Sequence, residues 1–334
     1  MGFFYPQWQK IIRIGVTTPP TTTGYQVKVE IPWQPGMRDD FADLRFSDYY
    51  RILPYWIETS TTRSTATVWV KLTEVNTAAN EFFCYYGNGG ASSESNGDNV
   101  FEFFDDFLGS ALDTTKWTQT TDPATTLEVS NSELHIINTH AAVSGVYATT
   151  SFGVNYTITA RWKPLTTGYS YPMIGSDSRA TGGTDRAIAF VHDYSGTRYY
   201  WLETTAVSTT STRTSLVNDG LYHVITISRN GTTSVIFTIG TTTVTNTVNV
   251  PSGSIAPSIT SFYSSTSGEQ YVDWFAVRKY QSTEPTCTPA ESGINTAFYQ
   301  ALLRAKHVFD VATYPYTLAV SFVTDHMHLT WTEP

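Results

Sequence analysis

Hydrophobic and polar residues alternate along most of this chain, which is the pattern of strands that bury one face. In the first hundred residues the clearest examples are Lys10–Val16, Tyr25–Ile31 and Thr67–Lys71. Turn-forming residues interrupt the pattern at short intervals, as in the Thr- and Pro-rich segment 17–23. Short strands separated in this way predict a β-sandwich.

A second series of strands runs from Val100 to Lys279, and Asn230-Gly231 within it is a strong hairpin signal. Between the two series, residues 89–99 are small and polar, as expected of a domain boundary. We therefore predict an all-β fold of two tandem sandwich domains. The predicted segments are an N-terminal domain over 1–98, a second domain over 99–282 and a tail over 283–334.

The tail has a different pattern. Apolar residues from Ile294 to Val308 recur at helical spacing, which predicts a short helix. Residues 316–323 and 328–331 then alternate as two strands. A helix-plus-strand tail either folds back on the body or docks on a partner, and the sequence leaves both open.

Composition narrows the range of partners. The net charge is -9 and charged residues make up 15% of the chain, with no basic cluster. Nucleic acid and anionic membrane surfaces are disfavoured, because both attract basic faces. No stretch approaches the length of a membrane span, and no basic segment followed by an apolar core marks a secretory signal. The cysteines Cys84 and Cys287 leave open whether they pair.

Four short motifs in the first region occur in the same order as in a known protein family. They are Asp43-Leu44-Arg45-Phe46, Leu53-Pro54-Tyr55-Trp56-Ile57-Glu58, Val68-Trp69-Val70-Lys71 and Tyr85-Tyr86-Gly87-Asn88. Over about residues 5 to 98 the chain resembles a prokaryotic domain of unknown function found at the start of many cell-surface proteins. The Asp-Gly pair usual after the second acidic position is replaced by Tyr49-Tyr50.

The second region resembles a concanavalin-like or laminin-G-like jelly roll. The residues that carry the resemblance are Phe103 to Phe107, Trp117, Asp219 to Val224 and Asp273 to Tyr280. The first and last strands of such a sandwich often lie side by side. The resemblance therefore implies Asp105, Asp106 and Asp273 as candidate ligands of a calcium ion. The resemblance alone does not fix a function, since the fold includes lectins, pentraxins and glycoside hydrolases.

The sequence contains no recognisable arrangement of catalytic residues. Glycoside hydrolases of the jelly-roll type carry their acids as Glu-x-Asp-x-Glu or Glu-x-Asp-x-x-Glu on one strand, and neither run occurs in this chain. There is also no Gly-x-Ser-x-Gly elbow and no Gly-rich phosphate loop. We therefore expect no catalytic residues and a protein that is not an enzyme.

The remaining candidates for a ligand-binding site are aromatic residues in and beside Gly-rich loops. Aromatic faces stack on sugar rings, and an arginine bonds the hydroxyl groups. The predicted glycan-binding residues are Tyr169, Tyr171, Tyr194, Arg198, Tyr199 and Trp201. Packing in the core is the competing interpretation of the same residues.

These features favour a virion or appendage structural protein, such as a capsid decoration, turret or tail-fibre component, that presents a glycan-binding jelly roll for host attachment. The expected partners are other virion or filament subunits, a host-surface glycan and further copies of the chain. The expected location is the virion surface, reached without a signal peptide. The alternatives are a carbohydrate-binding module of an exported cell-surface protein and a diverged glycoside hydrolase.

Overall fold

The computed structural model is built almost entirely from antiparallel strands, which confirms the all-β sandwich class. The residues that it describes are 7–49, 51–120, 125–139, 142–166, 170–179, 183–194, 196–263, 268–295, 317–323 and 326–332. None of the helices within these ranges is long and apolar enough to cross a membrane.

The chain divides into two compact units. The first unit contains residues 1–96 and 285–334, and the second contains residues 97–284. Both boundaries lie within two residues of the predicted ones. The tail, however, is not a separate segment, because it belongs to the same unit as the N-terminal residues.

The first 96 residues supply seven strands to the first unit. They are β1 (Lys10–Thr17), β2 (Tyr25–Pro32), β3 (Arg45–Ser47), β4 (Ile52–Leu53), β5 (Tyr55–Thr61), β6 (Thr65–Leu72) and β7 (Glu81–Tyr86), with a 3-10 helix at Asn76–Ala79.

The second unit begins with a short helix, α1 (Gly97–Val100), followed by fifteen strands. They are β8 (Phe103–Asp105), β9 (Trp117–Gln119), β10 (Thr125–Ser130), β11 (Glu133–Asn138), β12 (Val143–Ala148), β13 (Tyr156–Thr166), β14 (Ser170–Asp177), β15 (Arg186–Tyr194), β16 (Thr197–Thr205), β17 (Thr209–Val217), β18 (His223–Asn230), β19 (Ser234–Ile239), β20 (Thr242–Asn246), β21 (Pro257–Tyr263) and β22 (Gly268–Lys279).

Three further strands return to the first unit: β23 (Thr286–Asn295), β24 (Thr317–Val323) and β25 (His326–Thr332). Strand β23 pairs with β1 at the edge of a five-stranded sheet of order β23-β1-β7-β3-β4. A three-stranded sheet, β2-β6-β5, encloses the core of the first unit together with the five-stranded sheet. Strands β24 and β25 pair only with each other among the described strands.

The structure corrects the predicted start of the tail helix. Ile294 lies in β23, where it is paired with Ile11 of β1. A free edge of β1 would leave a row of unpaired backbone groups, and a strand satisfies them where a helix would not. The rest of the predicted helix falls in 296–316, outside the described residues. The two predicted tail strands are confirmed as β24 and β25.

The two cysteines are both free thiols. Cys84 in β7 is paired with Ile12, and Cys287 in β23 is paired with Val16, so β1 lies between them. Two strand spacings amount to about 9.6 Å, which exceeds the reach of a disulfide.

The second unit is a sandwich of two sheets. An eight-stranded sheet has the order β10-β11-β22-β13-β18-β19-β20, with β8 added on β22, and a seven-stranded sheet has the order β17-β16-β15-β14-β21-β12-β9. Alternate residues of both sheets, such as Ile158 and Phe237 of one and Ile174 and Leu202 of the other, form one buried core between them. The other face of each sheet points away from that core.

Candidate functional site

The outward face of the seven-stranded sheet carries an unusual density of aromatic side chains. On β16, Tyr200 and Leu202 belong to the core between the sheets. Tyr199 and Trp201 alternate with them on a strand whose pairing with β15 is regular, and therefore lie on the outward face. Trp201 packs there against a second, smaller apolar cluster formed by Met173, Ile188 and Phe190 and their partly buried neighbours.

Four of these residues form a continuous band of ring contacts: Phe262, Tyr171, Phe190 and Trp201. Tyr199 lies two residues from Trp201 on the same strand, and we call these five residues the aromatic strip. Ring centroids along it are 5.6 Å apart from Phe262 to Tyr171, 6.1 Å from Tyr171 to Phe190 and 6.0 Å from Phe190 to Trp201. The strip crosses β21, β14, β15 and β16, which spans about 14 Å at ordinary strand spacing. Phe190 is buried, whereas Phe262, Tyr171, Trp201 and Tyr199 are partly exposed.

Cross-strand register explains why these side chains meet. Met173, Phe190, Trp201 and Arg213 are successive partners across β14, β15, β16 and β17. Directly opposed side chains on one face of a sheet lie close enough to touch. The guanidinium carbon of Arg213 lies 4.6 Å from the ring centroid of Tyr199 and so ends the strip with a cation over an aromatic face.

His192 lies beside the strip. Its ring centroid is 4.6 Å from that of Tyr171 and 6.1 Å from that of Trp201. The Nδ1 atom is buried and has no hydrogen-bond partner among the described residues.

Two carboxylates share this face, and each is bound to an arginine. The Nε atom of Arg186 is 2.7 Å from a carboxylate oxygen of Glu203. Asp177 is fully buried and accepts hydrogen bonds from the guanidinium and the backbone N–H of Arg179. Burial and the nearby Asp177 carboxylate raise the pKa of Tyr147, so its hydroxyl stays protonated. Asp177 and Glu203 therefore both form ion pairs with arginines of the same chain.

The structure brings together three of the predicted glycan-binding residues, Tyr171, Tyr199 and Trp201. Arg198 does not join them. It alternates with Tyr199 on β16 and lies on the same side of the strand as the core residue Tyr200. The prediction grouped neighbours along the chain, whereas the period of two separates them onto opposite faces.

Two predicted residues cannot be placed in the site. Tyr169 lies outside the described residues. Tyr194 ends β15 opposite Thr197, and its side chain is not described. Four residues of the site, Phe190, Phe262, His192 and Arg213, were not predicted from the sequence. The signal that could have found Phe190 and His192 is the alternation Ile188-x-Phe190-x-His192 along one strand.

Two of the three acids predicted to bind calcium, Asp105 and Asp273, have partners within the protein. The carboxylate of Asp105 accepts hydrogen bonds from Trp117 Nε1 at 2.7 Å and from the Phe107 N–H at 2.8 Å. Asp273 forms an ion pair with Arg161 at 2.5 Å. Burial raises the pKa of Asp105 and of Asp106.

Within the described ranges, no group of three or more His, Cys, Asp or Glu side chains is placed to hold a metal ion. Asp105, Asp106 and Asp273 therefore do not form such a group. Calcium binding remains a prediction from the resemblance.

Comparison with known protein families gives a match to part of the chain. Residues 40–120 match the model of a domain of unknown function, DUF2341. The matched segment starts later and ends later than the predicted 5 to 98, and so it crosses from the first unit into the second. A search of curated proteins gives no match.

Solved structures resemble about half of the chain in fold, as their coverage of 53–54% shows. A β-1,3-glucanase from Mycobacterium marinum is 16% identical, with 53% of this chain and 98% of that chain covered and a TM-score of 0.41. A β-1,3-1,4-glucanase (lichenase) from a mouse hindgut metagenome is 10% identical, with coverage of 53% and 98% and a TM-score of 0.41. A pseudo β-1,3-glucanase of Mycobacterium tuberculosis is 14% identical, with coverage of 54% and 99% and a TM-score of 0.39.

These comparisons contradict the expectation that the chain is not an enzyme. The solved structures that resemble it are mostly glycoside hydrolases, several of them β-glucanases. The missing Glu-x-Asp-x-Glu run therefore excludes one arrangement of catalytic acids and does not exclude enzymatic activity.

The motif residues of the DUF2341 segment hold the chain where it leaves the first unit. Arg45 is buried and donates to the carbonyl oxygens of Leu44 at 2.6 Å and Ser92 at 2.8 Å, and it pairs with Glu94 at 2.9 Å. The backbone N–H of Glu94 in turn donates to the Tyr55 hydroxyl. These contacts fasten residues 92–96 to β3 and β5, which gives the motif a structural role.

Proposed function

We propose that the second unit binds polysaccharide on the outward face of its seven-stranded sheet. The observation that carries the proposal is the aromatic strip, a run of rings across four strands that ends at the partly exposed Trp201 and Tyr199. Binding sites for organic ligands are typically lined by apolar and aromatic groups with a few polar ones. Here His192 and Arg213 supply the polar groups beside Trp201.

The contacts of the strip suit a flat, partly apolar ligand. Trp201 is stacked on Phe190 with the ring planes 10° apart, which fixes the orientation of the indole. A fixed ring loses little conformational entropy when a ligand stacks on it.

The test is a binding panel of soluble polysaccharides measured by affinity electrophoresis and calorimetry. The panel includes β-1,3-glucan and mixed-linkage glucan, which the similar solved proteins are named for, together with acidic polysaccharides. We expect Trp201→Ala to weaken binding at least tenfold. Tyr271→Ala is the matched control, because Tyr271 is an aromatic residue on the eight-stranded sheet, and we expect it to leave binding unchanged. Equal binding by both variants would refute the proposed site.

Glycoside hydrolysis is a second candidate, favoured by the presence of Glu203 and Asp177 on the same face as the strip. Hydrolysis would require one of them to leave its arginine partner and act on the bound sugar. Release of reducing ends by the wild-type protein and its loss in Glu203→Gln, with binding retained, would support this candidate. Binding without release of reducing ends would refute it for the polysaccharide tested.

The biological setting of the binding unit is a further proposal. A virion or appendage subunit attached to a host-surface glycan, and a binding module of an exported cell-surface protein, both accommodate the proposed site. Detection of the protein by mass spectrometry in purified particles, and not in the cell-envelope fraction, would support the first. The reverse distribution would support the second. Sedimentation of the purified protein tests the predicted homo-oligomer.

A further inference from the structure

We infer that Asn88 is a site of spontaneous deamidation to aspartate and isoaspartate, and that Asn155 protects Asn230 from the same reaction. The chain contains three Asn-Gly pairs, which begin at Asn88, Asn96 and Asn230. Glycine has no Cβ atom, so its nitrogen is the least hindered in an attack on the preceding asparagine side chain. The three pairs are identical in sequence, and the surrounding structure distinguishes them.

The reaction at Asn88 needs no enzyme and consumes one water molecule. The Gly89 nitrogen loses its proton to solvent and attacks the Cγ atom of Asn88, which forms a C–N bond and moves the negative charge to Oδ1. The Cγ–Nδ2 bond then breaks, and Nδ2 takes a proton from solvent and leaves as ammonia. Water opens the resulting succinimide ring at either carbonyl, which gives aspartate, or isoaspartate with the main chain running through Cγ.

The loop after β7 favours these steps at Asn88. The backbone N–H of Gly90 donates to Oδ1 of Asn88 at 3.2 Å, which places the carboxamide alongside the backbone of Gly89. The same N–H faces the oxygen that becomes negative in the intermediate, and so stabilises that charge. Gly89 and Gly90 are exposed, and the N–H of Gly89 has no hydrogen-bond partner among the described residues. Nucleophile, target carbon and oxyanion donor therefore lie within three consecutive residues.

Asn155 holds the corresponding nitrogen at Asn230. The N–H of Gly231 donates to Oδ1 of Asn155 at 2.9 Å, so loss of that proton would break a hydrogen bond. Asn155 is itself fixed in place. Its N–H donates to the Arg229 carbonyl and its carbonyl accepts from the Tyr280 N–H, both at 2.9 Å. The Gly231 nitrogen is thereby kept protonated and held in position.

Packing protects the third pair, Asn96-Gly97. Gly97 is buried at the start of α1, and a Cβ atom added to it would lie 2.3 Å from the ring of Phe104. The Phe104 ring therefore leaves no free space beside Gly97. Closure of a succinimide ring at Asn96 would have to displace a packed aromatic side chain.

The experiment follows the three pairs in one sample. Native protein is incubated at mildly alkaline pH, and peptide mass spectrometry with an isoaspartate methyltransferase assay measures deamidation at each asparagine. We expect Asn88 to react at least tenfold faster than Asn96 and Asn230. In urea, where the protecting contacts are lost, we expect the three rates to converge. Equal native rates, or a faster reaction at Asn230 than at Asn88, would overturn the assignment.

Two variants test the assigned roles separately. Gly89→Ala adds a Cβ atom that meets no atom within 4 Å, and we expect it to slow the reaction at Asn88 at least tenfold. An unchanged rate would show that the Gly89 nitrogen is not the nucleophile. Asn155→Gly removes the Oδ1 acceptor but still adopts the backbone φ of 66°, and we expect it to speed the reaction at Asn230 at least fivefold.

Asn155→Asp is the matched control, because it keeps an oxygen acceptor for the Gly231 N–H, and we expect Asn230 to stay slow in it. The rate at Asn88 in the same samples is the internal reference, and thermal melting checks that each variant is folded. An Asn230 rate in folded Asn155→Gly that equals the wild-type rate would refute the protective role of Asn155.

Discussion

The indole nitrogen of Trp117 donates to the buried carboxylate of Asp105 at 2.7 Å. The backbone N–H of Phe107 donates to the same carboxylate at 2.8 Å. Trp117 also contacts Phe103, Phe107 and Phe275 in the core of the second unit. A single carboxylate thus fixes the turn after β8 and orients one of the two tryptophans of that core.

Replacement of Asp105 by Ala should destabilise the second unit. Two buried N–H donors would lose their acceptor, and each unsatisfied buried donor costs about 1–3 kcal/mol. Urea unfolding followed by tryptophan fluorescence measures the loss. Asp113→Ala is the control, because Asp113 is exposed and caps only a surface turn. A loss no larger than that of the control would contradict the role assigned to Asp105.

Asp105 should also give the second unit a distinct pH dependence. Burial raises its pKa above the usual 3.8. The stability that this group contributes is therefore present below its unfolded-state pKa and is lost as the pH rises through the higher folded-state pKa. Asn cannot titrate, so we expect the stability of Asp105→Asn relative to wild type to rise as the pH increases above about 4. A difference that is constant with pH would contradict the raised pKa.

Arg45→Lys should loosen residues 92–96. A lysine cannot reproduce the forked donation to Leu44, Ser92 and Glu94, and the unsatisfied carbonyls should cost about 2 kcal/mol locally. The direct measurement is hydrogen exchange at Glu94 and Asn96, whose N–H groups donate to Tyr55.

Arg51→Lys is the control for that experiment. Arg51 pairs with Glu74 at 2.9 Å on the surface, where an ion pair contributes little because solvent screens it. We expect exchange at Glu94 and Asn96 to be unchanged in this variant. Faster exchange in both variants would show that Arg45 has no special role.

Both cysteine thiols should resist alkylation in the folded protein. Burial raises the pKa of Cys287 to about 12 and raises that of Cys84 as well. The reactive thiolate is therefore scarce at pH 8. Mass spectrometry after iodoacetamide should find neither residue modified in native protein and both modified in urea. A mass corresponding to a disulfide, or rapid native labelling, would contradict this.

Truncation after Glu284 should destabilise the first unit and spare the second. It removes β23 and exposes the paired edge of β1, whereas a chain that ends after Asn295 keeps β23. Hydrogen exchange resolved by segment should show faster exchange in residues 10–86 only for the shorter chain. Equal exchange in the two truncated chains would show that β23 contributes no stability to the first unit.

Much of the fold follows from local pattern. The period of two along β2 or β18 needs no tertiary information, and Asn230-Gly231 indeed closes the hairpin between β18 and β19. The small polar residues 89–99 mark a boundary because such residues favour turns and loops over strands.

Long-range pairing could not be obtained in this way. The sequence of Thr286–Asn295 does not identify β1 as the partner strand, because backbone hydrogen bonds are the same whichever side chains the two strands carry. For the same reason, only part of the aromatic strip could be predicted from the sequence. Trp201 and Tyr199 are close in sequence, whereas Phe262 joins them only through the order of β21, β14, β15 and β16 in the sheet.

Because β23 pairs with β1, the five-stranded sheet of the first unit can be completed only after the whole second unit has been synthesised. A ribosome releases β1 to β7 and must then add 188 residues, from 97 to 284, before β23 emerges. At ordinary rates of synthesis this takes about 10–40 s. During that interval the nascent sheet presents a bare edge to every neighbouring chain. The charged Lys10 and Arg13 on β1 are the kind of residue that discourages such an edge from recruiting a foreign strand.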